Sequence, residues 1–192
     1  MKEILKLIGV LTAFGAVAGL LLAYTNDVTR DRIATAKQAE KLDALRAVLP
    51  EFDNQPNQNT CRITANGEEW TFFVARKNNA YTGAATESVS KNGYGSRILL
   101  MIGFNANRTV QQVKILEQTE TPGLGSRITE DAFRGQFTGR KLAGTRWAVR
   151  KDSGDFEAIT GATISSRAVV DAVKKAVDIY QQNEAAITKT GQ

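Results

Sequence analysis

Histidine is absent from all 192 residues, and cysteine occurs once, at Cys61. Those two shortages remove whole classes of chemistry. Without histidine there is no Ser-His-Asp or Cys-His nucleophilic site and no histidine general base. A single cysteine cannot complete a tetrahedral Cys/His zinc site or hold an iron–sulfur cluster unaided, and a histidine-ligated haem is excluded as well. No internal disulfide is possible. If this protein handles electrons, a non-metal cofactor has to carry them.

A basic stripe carrying aromatics is also missing. The net charge is +5, from 25 Lys and Arg against 20 Asp and Glu. These charges are scattered and interleaved, and no helix-turn-helix, zinc-finger or ribonucleoprotein motif accompanies them. Nucleic-acid binding is therefore not expected. With 42% hydrophobic and 23% charged residues, the chain has a globular balance, and its length suits one modest domain plus an anchor.

Residues 7–24 read LIGVLTAFGAVAGLLLAY, eighteen positions without a charge. As a helix this run spans ~27 Å, close to the hydrocarbon thickness of a bilayer. Lys6 can snorkel towards the headgroups. The run is longer than the apolar core of a signal peptide, and Tyr24, Thr25 and Asn26 do not form a small-residue cleavage site. An uncleaved anchor over residues 1–25 is expected. Lys2 and Lys6 before the span balance Arg30, Arg32 and Lys37 after it, so flanking charge assigns no orientation. Gly15 and Gly19 form a GxxxG pair that lets another helix approach.

Residues 27–49 are helix-like, with Leu42, Leu45 and Leu49 on one face and Pro50 as the stop. A helical stalk or linker over 26–50 follows, then a domain over 51–186 and a frayed tail over 187–192. Asn66-Gly67 between strand-like runs marks a hairpin, with Trp70, Phe72 and Val74 on one strand face. Residues 97–104 and 109–116 are a second pair of strands, preceded by a glycine-rich turn at 91–96. ETPGLGSRI, from Glu120, is a loop. A short helix capped by Thr129 is expected over 129–133, and strands over 145–151 and 156–159. The last helix, about 165–186, carries Val169, Val173, Val177 and Tyr180 on one face. Trp70, Phe72 and Trp147 are expected in the core, and Cys61 is expected to be inert.

The most informative stretch is ITGATISS, residues 159–166. Gly161 and Ala162 permit close backbone approach, Thr160 and Thr163 supply hydroxyls, and a helix N-terminus offers free N–H groups. That combination suits a phosphate, with Arg167 adding charge. The plainer alternative is that Ser165 and Ser166 merely cap a helix. There is no GxGxxG fingerprint and no P-loop.

Thr160-Gly161-Ala162-Thr163 resembles the S/T-G-A-T flavinylation motif of the FMN-binding domain family. Asn92-Gly93-Tyr94-Gly95, the GFN turn after 98–102, and Glu120-Thr121-Pro122-Gly123-Leu124-Gly125 resemble it too, in the same order. The anchor and the length narrow the likeness to the G-subunit family of Rnf ion-translocating electron-transport complexes. The resemblance implies an α+β fold: a mixed or antiparallel sheet with a C-terminal helix, on one transmembrane helix. It implies FMN held covalently by a phosphoester on Thr163, with Thr160, Gly161, Ala162 and Ser165 around the phosphate. Glu120 and Thr121 supply polar contacts to the ring and Leu124 a flat apolar one.

Three positions depart from the family pattern: Glu157 stands where Asp is usual, Gln118 where His is common, and Ser96 where Gly is common. The family's role is electron relay between membrane redox centres, coupling ferredoxin–NAD electron transfer to Na⁺ or H⁺ transport. Its partners are the other membrane subunits of the Rnf complex, a flavin transferase during maturation, and the lipid bilayer. The flavin domain is expected on the periplasmic side of the bacterial inner membrane, with no complete active site of its own. The competing reading is a membrane-anchored binding or assembly module without a redox-active flavin.

Overall fold

The computed structural model describes residues 2–191. Two compact units divide the chain, Met1–Lys41 and Leu42–Gln192. The first is helical, part of α1 (Lys2–Val48), and is long and apolar enough to cross a membrane. The second unit starts at Leu42, earlier than the expected domain boundary at 51. Ala44, Leu45, Val48 and Leu49 are buried in it, so the last turn of α1 is part of the domain core and not a linker.

Five strands form one antiparallel meander in chain order: β1 (Thr60–Ala65), β2 (Glu68–Lys77), β3 (Ala80–Ser90), β4 (Ile98–Asn105) and β5 (Val110–Glu117). The Asn66-Gly67 hairpin is present, both residues at positive φ (53° and 75°), as a turn matched to strand twist requires. One face of the sheet buries Phe72, Val74, Leu100, Ile102 and Phe104 against α3 (Thr163–Lys189). Tyr180 of α3 stacks on Phe104 at 4.5 Å between ring centroids. Burying one such side chain contributes about 2 kcal/mol. The other face carries Phe73, Ala75, Ala85 and Met101 against the end of α1. Alternation along each strand therefore fills two layers.

The hydrophobic pattern predicts no strand over 80–90, yet β3 is the central strand. Its Ala84, Ala85, Thr86, Ser88 and Ser90 are buried. Small side chains let helices approach both faces, and small residues give little hydrophobic signal. Asn78-Asn79 at positive φ (51° and 62°) forms the turn into it. Gly103-Phe104-Asn105, read as a turn, is strand instead, with Gly103 paired to both Ala85 and Gln112.

Beyond β5 the expected short helix is displaced. A 3-10 turn covers Gly125–Thr129 and α2 covers Asp131–Arg134; Glu130, not Thr129, precedes α2. The Thr129 hydroxyl bonds back to the Ser126 carbonyl. Residues 145–151 and 156–159 are not strands. They make one bridge, Val149 to Phe156, around a 3-10 turn at Arg150–Asp152, with Trp147 stacked on Phe156. The core takes their aromatic side chains without pairing their backbones into the sheet. Helix α3 runs through Lys189, past the predicted fraying at 187, because buried Arg76 donates to the carbonyls of Thr188 and Thr190.

Candidate functional site

Helix α3 opens directly on Thr163, with Ala162 as the residue before it and no side-chain cap. Neither serine caps the helix. Ser165 donates its hydroxyl to Glu120, while Ser166 accepts from the Ile159 N–H and donates to the Ala162 carbonyl. Among the described residues, the backbone N–H groups of Thr163, Ile164 and Ser165 find no acceptor. The turn before them needs Gly161, whose φ is 82°. A 27-residue helix thus presents unsatisfied donors and the positive end of its dipole at one threonine hydroxyl.

The ETPGLG loop is fastened beside that terminus by Glu120, which is buried at 5% exposure. Its carboxylate accepts from the N–H groups of Tyr94 (3.3 Å) and Gly95 (3.0 Å) and from the Ser165 hydroxyl. One side chain ties the NGYG turn, the loop and the start of α3 together. A Cβ on Gly125 would lie 2.7 Å from both the Glu120 carboxylate and the Ser165 hydroxyl, so the loop closes this tightly only with glycine. Gln118, at the position where His is common, accepts from the Glu120 N–H at 2.7 Å. Both Glu120 oxygens accept hydrogen bonds within the protein, and the residue also lines the cavity beside Thr163. Thr121 stays at the cavity wall.

A cavity of about 530 Å³ collects Glu120, Thr121, Leu124, Gly161, Ala162, Thr163 and Ser165. Thr160 is not among them; it faces a different depression with Glu157 and Gln136. Four lining residues were not among the expected site residues: Tyr94, Gly125, Lys151 and Ile164. Outside α1, the large hydrophobic side chains exposed among the described residues are Tyr94 (71%), Leu124 (48%) and Ile164 (48%). All three border this one cavity. An apolar rim around an uncapped helix terminus suits a ligand with a flat apolar body and an anionic tail.

Charge around Thr163 is also sorted. Arg167, expected to add charge at the terminus, is turned away in a two-bond pair with Asp152 at 2.7 Å each. That pairing holds the Asp152 carboxyl below its ordinary range, mainly through the guanidinium hydrogen bond. Arg150 pairs with Glu157 at 2.6 Å. Lys151 has no carboxylate partner among the described residues and donates to the Thr163 hydroxyl oxygen at 3.2 Å. Sequence spacing gave no signal for Lys151, because the bend at Arg150–Asp152 brings it across twelve residues.

These features fit FMN: open N–H donors and a cation for the phosphate, apolar edges for the ring. A family profile described as an FMN-binding domain matches residues 93–178, and one described as the RnfG N-terminal region matches 1–48. The G subunit of the ion-translocating oxidoreductase complex from Aliivibrio fischeri strain MJ11 is 36% identical, over 91% of this chain and 89% of its own length. Its namesake from Pseudoalteromonas atlantica is 33% identical, over 97% of this chain and 93% of its own. The crystal structure of Shewanella oneidensis NqrC shares the fold, with a TM-score of 0.53 at 17% identity, covering 70% of this chain and 74% of that one. The chain belongs to the family of ion-translocating oxidoreductase complex G subunits, with an FMN-binding domain behind an apolar N-terminal helix.

Proposed function

We propose that this subunit relays electrons through an FMN carried as a phosphoester on Thr163. The complex in question couples ferredoxin–NAD electron transfer to Na⁺ or H⁺ translocation. One observation carries the reading: Thr163 is the first residue of an uncapped 27-residue helix, and its cavity has the domain's exposed apolar side chains on its rim. The hydroxyl is half-buried and reachable at the point where three N–H groups await an anion.

Bound FMN supplies the redox chemistry. The protein's part is positional. The N–H groups of Thr163, Ile164 and Ser165 face the phosphate, and Leu124, Ile164 and Tyr94 shield the ring from water. Glu120 keeps the loop and the helix at a fixed spacing. Covalent attachment suits a periplasmic domain, where free FMN is scarce and a lost flavin would not be replaced. Attachment needs a flavin transferase, and Glu157 in place of the usual Asp bears on how efficiently that enzyme acts. The chain offers no fingerprint for a nicotinamide dinucleotide, so electrons pass by proximity to neighbouring subunits rather than by oxidation of NADH here.

The test is Thr163→Ala in a host that contains the flavin transferase. The parent should run as a fluorescent band on a denaturing gel, and the variant should be colourless yet folded. A fluorescent variant would refute attachment at Thr163. A colourless parent would favour a binding or assembly module instead.

A further inference from the structure

Lys151 is the cation that lines the cavity, and the two arginines near it in the chain or on α3 are already paired. Arg167 is held by Asp152, and Arg150 by Glu157. Lys151 is left over, and its ammonium reaches the Thr163 hydroxyl oxygen at 3.2 Å. Its place is not accidental to a floppy loop. The bend at Arg150–Asp152 is closed by the Val149–Phe156 bridge, with the Arg150 N–H bonded to the Phe156 carbonyl at 2.7 Å. The Arg167–Asp152 pair then ties the bend to α3 one turn beyond Thr163. The backbone of Lys151 is therefore fixed, while its side chain stays free to follow a ligand.

We propose that Lys151 is the side chain that binds the flavin's phosphate at Thr163, completing the set of donors begun by the N–H groups of α3. The inference rests on the Thr163 reading above and assigns it a cation. A phosphate diester keeps one negative charge and two free oxygens. The helix terminus serves one side of that group; an ammonium already beside the threonine oxygen serves the other. A compact point charge on a flexible stem suits this task, since it can shift from the hydroxyl oxygen to a phosphate oxygen without moving the backbone. The neutralised Arg150 and Arg167 cannot do so without giving up their carboxylates.

The experiment uses the unmodified full-length protein in detergent, produced without flavin transferase, and inorganic phosphate as probe. Phosphate titration should shift the amide signals of Thr163, Ile164 and Ser165. Lys151→Gln should weaken that binding about fivefold, the effect of one exposed charge-assisted contact. Lys151→Arg should retain most of it, and Lys174→Gln, which changes the same charge elsewhere on α3, should leave it unchanged. Equal affinity for the parent and Lys151→Gln would overturn the assignment, as would an equal loss in Lys174→Gln. Intact masses of the parent and Thr163→Ala from a transferase-competent host separate the two ideas. Flavin on the parent alone, together with unchanged phosphate binding in Lys151→Gln, would leave Thr163 standing and remove Lys151.

Discussion

The two ends of helix α3 are finished in opposite ways. At the C-terminal end, Arg76 is 4% exposed and donates to the carbonyls of Thr188, Thr190 and Asn79, so the last turn is satisfied from within the protein. Tyr81 and Tyr180 share a hydrogen bond of 2.8 Å in the same half of the domain. At the N-terminal end no side chain caps the helix; Ser165 and Ser166 lie inside its first turns, engaged with Glu120 and the Ala162 carbonyl. The open end lines the cavity with Thr163, Ile164 and Ser165, whereas the other end is tied down by Arg76. The chain can form both kinds of ending, and it leaves open the one beside Thr163.

Breaking the closed end should have the largest effect on stability. Arg76→Met keeps the aliphatic stem but removes several charge-assisted hydrogen bonds, each worth about 1.5–3 kcal/mol. We expect a loss of about 3 kcal/mol in chemical denaturation, while molecules that still fold keep flavin on Thr163. Loss of flavin from folded Arg76→Met protein would show that the two ends are not independent.

Glu120→Gln loosens the open end and should cost less, about 1–2 kcal/mol. The amide retains one acceptor but turns N–H groups towards donors that the carboxylate satisfied. Hydrogen exchange should speed up at the Tyr94 and Gly95 amides while the strands stay protected. Uniform exchange across the sheet would contradict the local role given to Glu120.

The smallest effect is alkaline. Burial pushes the Tyr81 hydroxyl up, with its partner Tyr180 adding to the rise, and burial also raises Tyr180. The folded state therefore favours the protonated phenols. Their contribution is complete below the ordinary tyrosine range near about 10 and wanes as pH climbs above it. A spectroscopic titration should find both phenols resisting ionisation until the domain unfolds. Early ionisation of either would place water at the closed end.

Residue pattern made much of this legible. Asn66-Gly67, the alternation in β2 and the apolar face of α3 carry strong local signals, and TGAT and ETPGLG are contiguous. What was hidden depends on packing. β3 is built from small residues because it is covered on both faces, so it lacks the contrast that marks a strand. The aromatic residues of 147–156 mimic strands because they serve the core. Thr160 opens the motif and Arg167 follows it in sequence, yet the turn sends one to another depression and the other to Asp152. Lys151 and Tyr94 join the site only through folding, while Ile164 sits next to Thr163 in the chain and reads as an ordinary helix residue.

The central claim is best tested on one peptide. Trypsin cutting after Lys151 and Arg167 releases residues 152–167, which contain Ser153, Thr160, Thr163, Ser165 and Ser166. From protein matured with flavin transferase, fragmentation of that peptide should locate one FMN, less one water, on Thr163. An unmodified peptide, or flavin on Thr160, Ser153, Ser165 or Ser166, would contradict the account.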